Sequence, residues 1–284
     1  MRVIDTVAAF RKELDASRAG GQTVGLVPTM GYLHDGHASL VRASAAARDV
    51  TAVTLFVNPL QFAANEDLST YPRDFDRDVA LAAEAGADLL FAPAADEMYP
   101  DGLPVLTTVS VSGLSAGFEG SSRPTHFAGV ATVVAKLFAI AGECRAYFGE
   151  KDFQQLAVVR RMARDLSFPV DVVGCPTVRE ADGLAMSSRN VHLSAEQRRA
   201  APVLHHALLA GRAAIERDGV RQAAAVVDVI TGIVRAEPLA ELDYAAAVRA
   251  DDLSVPQSLA GEVRLLIAAR FGTTRLIDNI GARA

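Results

Sequence analysis

Two histidines three residues apart, His34 and His37, flank Asp35-Gly36 in the stretch "VPTMGYLHDGHASL" (27–40). At i and i+3 of a starting helix, imidazoles can point the same way and donate to one ligand. Gly36 permits close backbone approach, and the free N–H groups of a helix start favour an anion. Taken alone, the stretch admits three readings: capping histidines without chemical work, donors to a phosphate, or ligands of a metal. Zinc is the weakest of these, because no Cys or His-plus-carboxylate set completes a shell at standard spacing.

Other polar clusters add to the first. "FGEKDFQQL" (148–156) places Lys151 and Asp152 between a strand-like run and a helical one. An ammonium there can neutralise developing phosphate charge, and a carboxylate can accept ribose hydroxyls; a solvated Lys/Asp turn is the bland alternative. Only three of the 28 basic residues are lysines, which sharpens interest in one that sits in a turn. "MSSRN" (186–190) offers hydroxyls and a guanidinium able to close over a triphosphate, or forms an ordinary polar turn. Gln61 in "FVNPLQF" and Gln155 suit the hydroxyls of an uncharged substrate portion, or are mere loop and helix polarity. Arg123 and His126 in "SRPTHFAG" could hold an anion or cap the helix that follows. Neither G-x-x-x-x-G-K-[ST] nor G-x-G-x-x-G occurs, so neither of those phosphate cradles is in use.

These clusters sit in an alternating pattern. Strands are expected at 23–27, 50–57, 87–93, 144–149 and 170–175, with a shorter one at 107–111. Helices are expected over 36–48, 74–86, 127–141 and 153–166, and the N-terminal 21 residues read as one amphipathic helix. Continuous apolar strands alternating with helices predict an α/β domain, a Rossmann-like parallel sheet covered on both faces. Ligands of such sheets bind at the C-terminal strand ends, where the clusters fall. After Pro176 the pattern changes to a helix capped by Ser194 and running to about 218, and a second helix over 220–236. Strands at 242–248, 262–271 and 273–280 follow, indicating a smaller C-terminal α+β domain. The expected domains are 1–176 and 177–284.

Half of the 284 residues are hydrophobic and the net charge is −6, which describes a folded chain without the basic face that nucleic acid requires. Mean hydropathy is +0.20. No signal peptide is visible, and the apolar run 127–142 is short for a bilayer and contains Lys136, so no membrane role is expected. Cys144 and Cys175 stand apart in apolar strands, as reduced, buried thiols of a cytoplasmic protein would.

In combination, "PTMGYLHDGH", "FVNPLQF", "YPRDFDRD", "MYPDG", "RPTHFAGV", "FGEKDFQQL", "PTVREADGLAMSSRN" and "GTTRLIDNI" resemble the pantothenate synthetase (pantoate–β-alanine ligase) family over nearly the whole chain. The family is related to class I aminoacyl-tRNA synthetases; "HDGH" stands as the His-x-Gly-His signature and "MSSRN" as the mobile second one. The resemblance implies condensation of pantoate with β-alanine, ATP giving AMP and pyrophosphate through a pantoyl adenylate, with Mg²⁺. It makes His34, His37 and Lys151 phosphate ligands in adenylation. ATP contacts fall on Pro28, Thr29, Met30, Gly149, Glu150, Lys151, Asp152, Val178, Met186, Ser187, Ser188 and Arg189. Pantoate falls to Met30, Gln61 and Gln155, and β-alanine to Asn58 and Gln61. The family carries acidic residues for magnesium near the end of "YPRDFDRD"; Asp78 matches best, although Arg77 separates it from Asp76. A homodimer is also implied. An enzyme that stops at an adenylylated product and a non-catalytic nucleotide binder are the competing classes. The paired glutamines with "MSSRN" disfavour the first, and the presence of both His37 and Lys151 disfavours the second.

Overall fold

The computed structural model describes residues 1–62, 68–69 and 71–284. The chain divides into two compact units: Met1–Glu150 with Gln154–Pro176, and Lys151–Phe153 with Thr177–Ala284.

The first unit runs β1 (Arg2–Ile4), α1 (Val7–Ala19), β2 (Val24–Thr29), α2 (Asp35–Ala45), β3 (Val50–Leu55), α3 (Phe75–Glu84) and β4 (Leu89–Phe91). It continues through single helical turns α4 (Ala95–Met98) and α5 (Glu119–Ser122), then α6 (His126–Ala141), β5 (Cys144–Gly149), α7 (Phe153–Asp165) and β6 (Val170–Cys175). All six strands are parallel, in the order β1-β4-β3-β2-β5-β6. Burial on both faces explains why these strands read as unbroken apolar runs: Val24, Leu26, Val27, Ala52, Val53, Leu90 and Phe91 are all buried. Gly25 lets α2 lie against β2, since a Cβ there would overlap Ser44 Oγ, itself hydrogen-bonded to Thr51 in β3 (2.8 Å). α6 is buried almost all round, so its apolar run is core. Its Lys136 donates to Met98 O and lies over the Tyr99 ring. Among the described residues no helix is long and apolar enough to cross a membrane.

Two expectations change here. The N-terminal segment is not one helix: Arg2–Ile4 forms an edge strand paired with Leu89–Phe91, and α1 begins only after the Thr6 cap. Three residues are too few for a period-2 pattern to register. The expected strand at 107–111 is absent, and the Val109 N–H goes instead to Thr132 Oγ1 (2.9 Å).

The second unit holds α8 (Ala195–Ala200), α9 (Val203–Glu216), α10 (Ala223–Arg235) and an antiparallel sheet β7 (Glu241–Arg249), β8 (Glu262–Phe271) and β9 (Thr274–Arg283) in that spatial order. Leu204, Leu208, Ile215, Val226, Ile230 and Val234 share one core with Leu265, Ile267 and Phe271. The single helix expected from Ser194 is broken near Pro202, which has no N–H to continue the ladder. Ser194 does cap α8, in a reciprocal pair with Gln197.

Candidate active site

In the first unit, β2 lies between β3 and β5, and the chain reverses its direction of travel across the sheet there. Pairing of β2 with β5 stops at Leu26, two residues before Pro28, which has no N–H to offer a neighbouring strand. The carboxyl ends of the strands at such a reversal are where an open parallel sheet takes its ligand. Pro28, Thr29 and Met30 stand half-buried at that end of β2. Thr29 Oγ1 donates to Thr54 O (2.7 Å) and accepts from Gly31 N–H (3.3 Å), fixing the start of the turn.

The turn carries the histidines to the start of α2. His34 is the N-cap: its Nδ1 accepts from Gly36 N–H (3.1 Å), while His37 Nδ1 accepts from His34 N–H (3.3 Å). The rings lie 4.1 Å apart. An Nδ1 that accepts a hydrogen bond places the proton of a neutral ring on Nε2. Each imidazole therefore caps through Nδ1 with any proton of the neutral ring on Nε2, so the capping reading does not exclude the phosphate one. Asp78, buried on the first turn of α3, accepts from Tyr32 N–H (2.7 Å) and Leu33 N–H (2.6 Å). Burial raises its carboxyl above the usual range, against the lowering effect of those two bonds and of Arg77.

After β3, Pro59–Gln61 forms a 3-10 turn capped by Asn58. Asn58 has no exposed surface. Its Nδ2 donates to Gln61 Oε1 (3.1 Å) and Gly129 O (3.1 Å), and its Oδ1 accepts from Tyr99 OH (2.7 Å) and Leu60 N–H (3.3 Å). These four bonds fix the Asn58 amide beside Gln61. Arg123 and His126 both bind Gln61 O (3.0 and 3.1 Å), so they also hold this segment. Burial pushes the Tyr99 phenol up to about 12, keeping it a donor. The neighbouring glutamines of α7 differ. Gln154 is buried, donates to Leu114 O and Gly117 O (both 2.8 Å) and accepts from Glu119 N–H (3.1 Å). Gln155 is half-exposed. The sequence gives no sign of Gln154's task, which depends on a loop packed from 35 to 40 residues earlier.

Gly149 and Glu150 close β5 in the first unit; Lys151 and Asp152 belong to the second. The expected boundary placed Lys151 in the first domain. It groups with the second because Asn279 Nδ2 donates to Lys151 O (2.7 Å), and Arg264, bonded to Asn279 Oδ1 (2.6 Å), stacks on the Phe153 ring at 4.2 Å. The Lys151 side chain is 17% exposed, with Nζ 3.9 Å from Asp152 Oδ2. Val178 O accepts from Met186 N–H (3.0 Å), closing the short hairpin that presents Ser187, Ser188 and Arg189. Ser187 Oγ caps the 3-10 turn Ser188–His192 through Arg189 N–H (3.3 Å), and Arg179 pairs with buried Asp278 through both carboxylate oxygens (2.7 and 2.9 Å). The "MSSRN" turn thus has a folded base, with its side chains half-exposed.

No group of three or more His, Cys, Asp or Glu able to hold a metal occurs among the described residues. Cys144 and Cys175 are free and buried, their thiols raised by burial, Cys144 to about 12. A cavity of about 510 Å³ opens at the opposite end of the sheet, beside Thr23, Arg48, Cys144 and Arg145, away from every predicted residue of this unit.

Comparison with known proteins covers the same ground. The family model described as pantoate-beta-alanine ligase matches residues 2–281. Pantothenate synthetase of Moorella thermoacetica is 51% identical over 280 residues, 99% of this chain and 98% of its own. That of Agrobacterium fabrum is 52% identical, covering 98% and 95%. A crystal structure of pantothenate synthetase from Thermus thermophilus superposes with TM-score 0.94 at 51% identity over 100% of both chains. The Francisella tularensis pantoate-beta-alanine ligase, complexed with beta-gamma ATP and beta-alanine, has TM-score 0.80 at 32% identity over 99% and 97%. With a match that runs from residue 2 to residue 281 and relatives at half identity end to end, this chain belongs to the pantoate–β-alanine ligase family.

Proposed function

We propose that this chain joins pantoate to β-alanine, forming pantothenate while ATP becomes AMP and pyrophosphate. A carboxylate is a poor acyl donor because its leaving group would be oxide. Attack of a pantoate carboxylate oxygen on the α-phosphorus expels pyrophosphate and creates an acyl adenylate. The neutral amine of β-alanine then attacks the acyl carbon, loses a proton, and AMP departs with the former carboxylate oxygen.

The first step sets an anion against an anion, so preorganised donors matter most. The observation that carries this reading is the histidine pair: His34 and His37 accept backbone N–H groups through Nδ1, which sets both rings at the N-terminus of α2, where an anion is favoured. In this reading both donate to ATP phosphates, joined by Lys151, Ser187, Ser188 and Arg189. Pro28, Thr29, Met30, Gly149, Glu150, Asp152, Val178 and Met186 surround the nucleotide. Pantoate binds Gln61 and Gln155 with Met30 beside them, and β-alanine approaches Asn58 and Gln61, whose side chains are hydrogen-bonded to each other.

Magnesium enters with the nucleotide. Asp78, the residue matched to a magnesium position, holds two backbone N–H groups, and no group of three or more His, Cys, Asp or Glu stands around it among the described residues, so a protein cage does not fit the donors present. Phosphate oxygens and water suit this ion without one. A cytoplasmic homodimer belongs to the same proposal and rests on the family resemblance.

The test is product analysis with each substrate omitted in turn. Sustained AMP release is expected only with ATP, pantoate and β-alanine together. Continuous turnover to a free adenylylated product without β-alanine would contradict the ligase reading.

A further inference from the structure

The turn that delivers His34 is conformationally demanding. Gly31 (φ 89°) and Tyr32 (φ 52°) are consecutive left-handed residues, and the second is not a glycine. An aromatic residue there is unfavourable unless its surroundings hold it. The holding group is Asp78. Oδ2 accepts Tyr32 N–H at 2.7 Å and Oδ1 accepts Leu33 N–H at 2.6 Å, one oxygen for each of two consecutive amides. The carboxylate is 1% exposed, and the Arg77 guanidinium lies over the Tyr32 ring at 5.2 Å. At φ 89° a side chain on Gly31 would be strained, and its Cβ would also stand only 3.1 Å from Oδ2. Leu33, the next residue, is buried, and His34 follows as the N-cap.

We propose that Asp78 is a positioning residue for adenylation: it clamps the Tyr32–Leu33 backbone and thereby sets the His34/His37 turn, rather than ligating magnesium. The inference deepens the proposed function and rests on it. Long-range placement is its basis, since Asp78 acts 45 residues downstream of the amide it holds. Removing one of the two acceptors lets the turn relax, and His34 moves with it.

The test uses Asp78→Asn, which keeps shape and one acceptor, and Asp78→Glu, which keeps the charge but displaces the oxygens by a methylene. Pantoate-dependent ATP–pyrophosphate exchange reads the first half-reaction. Pantothenate formation from preformed pantoyl adenylate and β-alanine reads the second. Nitrogen NMR of the histidine rings reads the share of Nε2–H tautomer, and thermal melting reads the fold. Exchange is expected to fall about 10- to 100-fold, as for a small misplacement of a reacting group. The second half-reaction should stay within about twofold of wild type, magnesium at half-maximal exchange should not change, and the Nε2–H share should drop. Exchange restored by raised magnesium would make Asp78 a metal ligand and overturn the proposal. So would equal loss in both halves tracking the melting temperature, unchanged exchange, or failure of both variants to fold. Absence of pantoate-dependent exchange in the wild-type protein would instead refute the proposed function, so the two failures are distinct.

Discussion

At the scale of single residues, the capping contacts of His34 and His37 are observed and their chemical role is proposed. "HDGH" is legible as a helix start with two donors, but which nitrogen faces the backbone depends on cap geometry that residue spacing does not specify. Because His34 caps through Nδ1, capping and donation can be separated by mutation. Asn caps as well as any residue, so His34→Asn is expected to hold stability within about 0.5 kcal/mol while slowing adenylation. His34→Ala should lose the cap too, at a cost of about 1 kcal/mol by chemical denaturation. Full adenylation rate in the Asn variant would leave His34 with capping alone. Lys151→Ala should lower single-turnover adenylation by about 10²–10³-fold, the loss usual for one electrostatic donor. Lys151→Arg should rescue it poorly, because a planar fork does not replace a compact ammonium. A near-wild-type rate in the alanine variant would remove Lys151 from the chemistry. The glutamines show where residue-level reading ends: adjacent in sequence, Gln154 is spent on loop carbonyls and Gln155 is not, a difference set by packing from another segment.

At the scale of elements, the long periodic segments were legible because burial on two faces leaves a continuous apolar run. β2, β3, β5, β6, α2, α6 and α7 all lie within a few residues of their expected positions. β1 escaped notice because three residues carry no period. The helix break at Pro202 follows from proline chemistry that the run of good helix formers around it obscured. Contacts between elements were the least legible, and Gly129 is the sharpest case. It lies on buried α6 beneath the 58–61 turn: a Cβ would overlap Leu60 O, and its own carbonyl accepts from Asn58. Gly129→Ala should destabilise the chain by about 1–3 kcal/mol through overpacking. It should also raise the KM for pantoate, because Gln61 moves with the turn. Denaturation together with steady-state kinetics checks both; a stability loss with unchanged pantoate KM would uncouple Gly129 from Gln61.

At the scale of the whole molecule, the acidic average made a nucleic-acid ligand an unfavoured expectation, yet the side chains proposed to meet the ATP phosphates, His34, His37, Lys151, Ser187, Ser188 and Arg189, are all donors. A few placed donors act locally against a net charge of −6. The change of pattern at Pro176 was legible as a shift from alternating strands and helices to helices followed by strands. The grouping of Lys151 with the second unit was not, since it rests on Asn279 and Arg264, more than 100 residues away. The central claim is that the pantoate carboxylate is activated by AMP transfer before the amide forms, and an isotope follows that oxygen directly. With pantoate labelled by ¹⁸O in its carboxylate, one labelled oxygen is expected in each AMP released, with unlabelled pyrophosphate, as read by mass spectrometry. Unlabelled AMP, or label in orthophosphate or pyrophosphate, would contradict a pantoyl adenylate.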